Sequence, residues 1–196
     1  VLNIAVFASG RGSNFEALHR AIVEQKISAQ VVVVISNNST SGVLRLAQSF
    51  GIPALHLSQR QFPDTEEFQH AVLKTLKSFN VNFIVLAGYM KKLDAAVIRS
   101  FPRRIINIHP ALLPKFGGEG MYGMHVHSAV ITAGETESGA TVHFVDEEYD
   151  RGTIIAQHKI GVTASDTPES LAAKVLAVEH TLLPSVIKQI SEQSYT

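Results

Sequence analysis

The segment Asn107-Ile108-His109-Pro110 holds two side chains that can bind and move charge. Asn supplies a neutral amide donor, and His a donor whose charge changes near neutral pH. In a strand, alternation puts Asn107 and His109 on one face and Ile108 in the opposite layer. Two donors converging on one point could hold the oxyanion of a tetrahedral intermediate. The plainer alternative is a His satisfying a buried carbonyl and an Asn capping a turn. A carboxylate would extend the chemistry, and the turn Asp146-Glu147-Glu148-Tyr149-Asp150-Arg151-Gly152 offers several. Asp146, Glu147 and Glu148 read as solvated surface acids, whereas Asp150 precedes Arg151-Gly152, a tight return that could fix its side chain. Held near His109, Asp150 would favour the imidazolium and could pass it a proton directly or through water. Spacing alone does not establish that proximity.

A second chemical segment is Ser9-Gly10-Arg11-Gly12-Ser13-Asn14. Its glycines allow close backbone approach, and the amides of a following helix attract an anion. A dinucleotide fingerprint would need glycine where Phe15 stands, and no lysine follows Gly12 as in nucleotide-hydrolase loops. A simple phosphate cradle of Gly12, Ser13 and Asn14 remains, against a tight strand-to-helix turn capped by Ser13. The remaining histidines carry less. His125 and His127 have no third ligand at metal spacing, and read as hydrogen-bonding or packing residues. His143, alternating with Val142 and Phe144, is expected on the sheet's other side. No metal is expected, and no Gly-x-Ser-x-Gly elbow supports a serine nucleophile.

These residues need a frame, and hydrophobic periodicity supplies one. Leu2–Ala8, Val31–Ile35 and Phe83–Ala87 read as buried strands, Ala54–Leu57 as a short strand and Arg104–Ile108 as a further strand stopped by Pro110. Between them Asn14–Gln25, Gly42–Phe50, Thr65–Phe79 and Asp94–Ser100, the last capped by Asp94, read as helices. Strand–helix repetition of this kind predicts a Rossmann-like, doubly wound α/β fold with a mostly parallel sheet. Asn107 and His109 then stand at the carboxyl end of a strand, where such sheets bind ligands. After Pro110 the pattern changes. Lys115–Gly123 holds four of the thirteen glycines and reads as a loop. Val126–Ala133 reads as a short helix, Ala140–Val145 and Thr153–Ile160 as late antiparallel strands, and Pro168–Gln189 as a long closing helix capped by Thr167.

The whole chain narrows the function classes. Its 196 residues, 45% hydrophobic and 17% charged, suit a single domain over 1–196 with a real core. Lys plus Arg equals Asp plus Glu, 17 each, so no global positive field draws nucleic acid or anionic membrane. There is no cysteine, which removes disulfides, thiolate metal sites and thiol nucleophiles. The opening apolar run is too short to span a membrane, and a cytoplasmic setting is the default expectation.

Read in order, the motifs resemble a known family. Gly10-x-Gly12-Ser13-Asn14, Val85-Leu86-Ala87-Gly88-Tyr89-Met90, Asn107-Ile108-His109-Pro110-Ala111-Leu112-Leu113-Pro114, Gly123-Met124-His125-Val126-His127, Thr141–Asp146 and Asp150-Arg151-Gly152 look like the phosphoribosylglycinamide formyltransferases of purine synthesis. The resemblance implies transfer of a formyl group from 10-formyltetrahydrofolate, a co-substrate, to the amine of glycinamide ribonucleotide. It implies Asn107, a cationic His109 and Asp150 as the catalytic trio, with Asp150 relaying a proton to the folate nitrogen that leaves. Gly12, Ser13 and Asn14 would hold the phosphate, and Glu179 the ribose and amine side. Met90, Lys91 and Leu93 would line the pterin pocket, with Val142, His143, Val145 and Asp146 at its other wall. The phosphate-binding half would span about 1–100 and the folate and catalytic half about 101–196. Leu113-Pro114 matches a step that can be cis. Three departures stand out: a longer, glycine-richer 115–123 loop, Lys91-Lys92 in place of Arg and an apolar residue, and Ala111 where Ser is frequent. The expected partners are small molecules, with neither nucleic acid nor membrane, and a homodimer is left open. A formyl-folate hydrolase would share the trio but would carry an N-terminal regulatory domain, which is not expected here. A transfer-RNA formylating relative would need a C-terminal nucleic-acid module. A binding protein without catalysis is the third rival.

Overall fold

The computed structural model describes residues 1–25 and 27–193, so residues 194–196 of the expected domain range lie outside the described residues. Five strands, β1 (Leu2–Phe7), β2 (Ala29–Ser36), β3 (Ala54–His56), β4 (Phe83–Leu86) and β5 (Ile105–His109), pair in parallel. β6 (Glu137–Phe144) and β7 (Ile154–Gly161) add antiparallel strands, giving the order β3-β2-β1-β4-β5-β6-β7. The doubly wound sheet with late antiparallel strands is therefore as the sequence predicts.

Among the described residues, α1 (Ser13–Glu24), α2 (Gly42–Ser49), α3 (Thr65–Ser78), α4 (Ala95–Ser100) and α5 (Met124–Thr132) connect strands, and α6 (Pro168–Glu192) follows β7. Alternation along the strands feeds two apolar layers. Ile4, Val6, Val85, Ile106, Ile108 and Val142 pack with Phe15, Leu18, Val43, Val130, Leu171 and Leu183 of α1, α2, α5 and α6. Ala5, Phe7, Ile84, Leu86 and Ile105 pack with Val72 and Leu76 of α3 and Val97 and Ile98 of α4. Asp94 Oδ1 accepts from the Ala96 amide at 2.7 Å and starts α4. Thr167 Oγ1 accepts from the Ser170 amide at 3.2 Å and starts α6. The 25-residue α6 is apolar and long enough to cross a membrane by composition alone. Leu171, Val175, Leu183, Val186, Ile187 and Ile190 are nevertheless buried against the sheet, so core packing accounts for its apolar character.

The chain winds from β1 through β2 to β3 on one side and then crosses to β4 and β5 on the other, so the strand order reverses between β1 and β4. The crevice beyond the carboxyl ends of β1, β4 and β5 is the place where such sheets receive ligands.

Candidate active site

A cleft of about 660 Å³ opens at that crevice. Its floor is the carboxyl end of β5. Asn107 and His109 face it together, as alternation requires, while Ile108 packs in the layer behind. One wall is the segment Gly88–Leu93 after β4, joined by Val145 and Asp146 beyond β6. The other is built by helices, with Asn14 of α1, His127 of α5, and Ala172, Leu176 and Glu179 of α6. Gly118–Gly123 and Tyr149 form the rim.

Asp150 does meet the β5 pair. Its Oδ1 lies 3.4 Å from Asn107 Nδ2, and its Oδ2 lies 3.6 Å from His109 Nδ1. The backbone fixes the carboxylate: Asp150 takes a left-handed φ of 53°, and the Gly118 amide donates to its Oδ2 at 2.9 Å. The hairpin needs Gly152 beside it, since a Cβ there would fall 1.8 Å from the Phe144 carbonyl oxygen. Leu113-Pro114 is cis. Thr141 pins the bend before it, donating to the Ala111 carbonyl at 2.6 Å and accepting from the Leu113 amide at 3.1 Å. Gln157 Nε2 donates to both Leu113 O and Thr141 Oγ1.

The register of β5 on β6 sets His143 opposite Asn107. Asn107 Nδ2 stands 3.1 Å from His143 Nε2, and His143 Nδ1 stands 2.8 Å from the Phe144 carbonyl. A carbonyl only accepts, so Nδ1 carries a proton, and Nε2 stands between the Asn107 amide and Asp150 Oδ1, 3.5 Å away. His143 thus shares the face of Asn107 and His109 and fixes how the amide points. Sequence alternation separates it from Val142 correctly, but only the cross-strand register connects it to the trio.

His109 is 3% exposed, and its Nε2 donates to the Phe116 carbonyl at 2.8 Å. Burial lowers its pKa, and the Asp150 charge offsets only part of that effect. Burial thus works against the cationic His109 that the resemblance implies, while the acceptors at its two nitrogens, the Phe116 carbonyl and the Asp150 carboxylate, work for it. For Asp150, burial works upward, but the His143 ring, the His109 ring and the Gly118 amide outweigh it, so the carboxyl titrates below its ordinary range.

At the far end, Gly12 caps α1 with φ 89°, and a Cβ there would meet Val43 Cγ2 at 2.6 Å. Glycine, not Ser13, is the cap, and the first amides of α1 stay free of intrahelical partners. The side chains reaching the cleft from this loop are Arg11 and Asn14, the neighbours of Gly12-Ser13. Glu179 is 7% exposed rather than surface-borne; burial pushes its carboxyl up to about 7, and the Asn14 side chain pulls the other way. Met90, Lys91, Leu93, His143, Val145 and Asp146 line the cleft as expected. Val142 does not: it is fully buried in the layer behind, because its neighbour His143 takes the cleft face. Arg11 and His127 are lining residues that sequence reasoning passed over, the one as a loop residue and the other as packing. No group of three metal-ligating side chains occurs among the described residues.

The fold and its crevice define a doubly wound α/β protein that receives ligands at the switch of strand order, with an amide, an imidazole and a carboxylate on the floor. The sequence model described as formyl transferase matches residues 2–187, and the chain belongs to that family. It is 43% identical over 191 residues to the chloroplastic phosphoribosylglycinamide formyltransferase of Arabidopsis thaliana, covering 97% of this chain but only 65% of that relative. The phosphoribosylglycinamide formyltransferase of Bacillus subtilis (strain 168) is 37% identical over 186 residues, covering 95% of this chain and 93% of the relative. The crystal structure of glycinamide ribonucleotide transformylase 1 from Symbiobacterium toebii superposes with a TM-score of 0.91 at 35% identity, covering 98% and 88% of the two chains.

Proposed function

We propose that this chain transfers the formyl group of 10-formyltetrahydrofolate to the amine of glycinamide ribonucleotide in purine synthesis, as one formyltransferase domain. The meeting of Asn107, His109 and Asp150 on the floor of a cleft that also reaches the α1 N-terminus carries this reading. The relatives' names agree with it. The folate lies between Met90–Leu93 and Val145-Asp146, and the ribonucleotide phosphate sits at the amides of Gly12, Ser13 and Asn14. The two halves of the chain share the work rather than divide it, since Met90–Leu93 serve the donor and Glu179 serves the acceptor.

In the reaction the formyl oxygen accepts from Asn107 Nδ2–H and His109 Nε2–H. Both donors are engaged in the free cleft, Asn107 Nδ2 by His143 Nε2 and Asp150 Oδ1, and His109 Nε2 by the Phe116 carbonyl, so donor binding displaces the long Asp150 contact and the Phe116 carbonyl. The amine attacks the formyl carbon, and the two donors stabilise the oxyanion that forms. Asp150 accepts the proton released from the amine nitrogen and returns it to the folate nitrogen as the carbon–nitrogen bond breaks. The oxyanion collapses to the new formamide carbonyl, and tetrahydrofolate leaves. No step needs a metal. We assign the reaction to the cytoplasm, a reading that the cysteine-free sequence supports.

The test is the absorbance change of 10-formyl-5,8-dideazafolate with and without glycinamide ribonucleotide. Turnover only with the ribonucleotide is expected. Equal turnover without it would make the protein a hydrolase, and binding of both ligands without turnover would make it a binding protein.

A further inference from the structure

Three helices meet at the acceptor side of the cleft, and each brings one buried polar side chain: Asn14 from α1, His127 from α5 and Glu179 from α6. Ala172, Leu176 and Glu179, four and three residues apart, form the face of α6 that looks into it. Two of the three polar residues carry a buried atom with no protein partner, Asn14 Oδ1 and His127 Nδ1. Buried side-chain polar atoms are nearly always hydrogen-bonded in folded proteins. Of the four such unpartnered atoms among the described residues, these two belong to cleft-lining side chains, whereas Ser138 Oγ and His180 Nε2 lie outside the cleft.

His127 is 5% exposed, and its Nδ1 is sealed from solvent. Burial and then the nearby His109 lower its pKa, so one proton remains on the ring at neutral pH. An N–H sealed at Nδ1 would have no acceptor, whereas at Nε2 it meets the cleft that the ring lines. The residue stands on the wall shared by Asn14 and Glu179, and near enough to His109 for that ring to act on its charge. A molecule reaching from the α1 N-terminus to the β5 floor passes this ring.

The geometry points to His127 as a substrate-binding residue, whose Nε2–H donates to an oxygen of the phosphorylated, amine-bearing acceptor between its phosphate and its reacting amine. This rests on the formyl-transfer reading and adds a contact that the sequence had assigned to packing. It is a positioning contact for the acceptor alone, since the donor occupies the opposite wall.

The variant His127→Leu keeps an apolar side chain in the wall and removes both ring nitrogens. With glycinamide ribonucleotide as acceptor, kcat/KM should fall at least about tenfold through a higher acceptor KM, with the donor KM unchanged within about twofold. The Tm should hold or rise, because an unsatisfied buried atom is lost. Unchanged acceptor kinetics, or a loss carried by the donor KM, would overturn the assignment. Should the variant not fold, wild-type protein labelled with ¹⁵N-histidine is titrated with the ribonucleotide in the absence of donor. The His127 Nε2 resonance should move to a hydrogen-bonded position. An unmoved resonance in protein that still turns over sinks this contact only. Wild-type protein that neither binds nor turns over the ribonucleotide sinks the formyl-transfer reading with it.

Discussion

His109 has one ring nitrogen on the Phe116 carbonyl and the other 3.6 Å from a carboxylate oxygen, in an environment that excludes water. Burial disfavours the imidazolium, and Asp150 is the main group acting against that preference. Removing the Asp150 charge must therefore move the His109 pKa further down. In Asp150→Asn, the His109 Cε1 proton is expected to titrate at lower pH than in wild type; an unchanged or higher midpoint would show that the carboxylate does not act on the ring. Both His109→Asn and Asp150→Asn should cut kcat by about two orders of magnitude or more while circular dichroism stays native. Near-wild-type rates in both would remove the proposed mechanism. His143 belongs to the same scale: its Nε2 stands against both the Asn107 amide and the Asp150 carboxylate and so constrains how the amide lies.

Among the elements, the antiparallel pair β6–β7 does more than lengthen the sheet. Thr141 is fully buried, and its one hydroxyl uses its donor and both acceptor positions, on Ala111 O, Leu113 N and Gln157 Nε2. Those bonds hold the bend that carries the chain from His109 towards Phe116. Thr141→Val preserves shape and volume but strands the Ala111 carbonyl and the Leu113 amide inside the protein. A loss of about 2–4 kcal/mol in urea unfolding is expected, together with reduced kcat as the bend shifts. Full stability in the variant would mean that the bend is held by packing alone. The Asp150 hairpin is similarly constrained. Phe144 and Gly152 approach so closely that only glycine fits, which holds the left-handed Asp150 at one fixed place beside β5.

On the scale of the molecule, packing α6 across the sheet and against α1 puts Glu179 inside the protein. Its carboxyl, normally near 4.5, is pushed up to about 7. The folded state therefore holds this proton more tightly than the unfolded chain. The resulting stability is complete below about pH 4.5 and is lost as pH rises through about 7, a span of roughly 3 kcal/mol. His109 and His127, with lowered values, act in the opposite sense, adding stability as pH rises towards 6.5. Comparison with Glu179→Gln cancels the histidines. The Tm of the variant minus that of wild type should grow between pH 5 and pH 8, and a flat difference would show that Glu179 is not buried as a neutral acid.

Periodicity alone determined the strands, the helices, the caps at Asp94 and Thr167 and the shared face of Asn107 and His109, because these depend on neighbours within a few residues. The glycine-flanked loop and the Asp150 turn were likewise readable as segments able to do chemistry. Tertiary structure decided what distance in sequence conceals: that Asp150 reaches His109 across 41 residues, that His143 faces Asn107 through strand register, and that Val142 falls behind the sheet. It also decided which way burial moves the pKa values of His109 and Glu179. A side chain's ionisation depends on how much water the fold removes around it, and that is a property of packed surfaces rather than of local sequence.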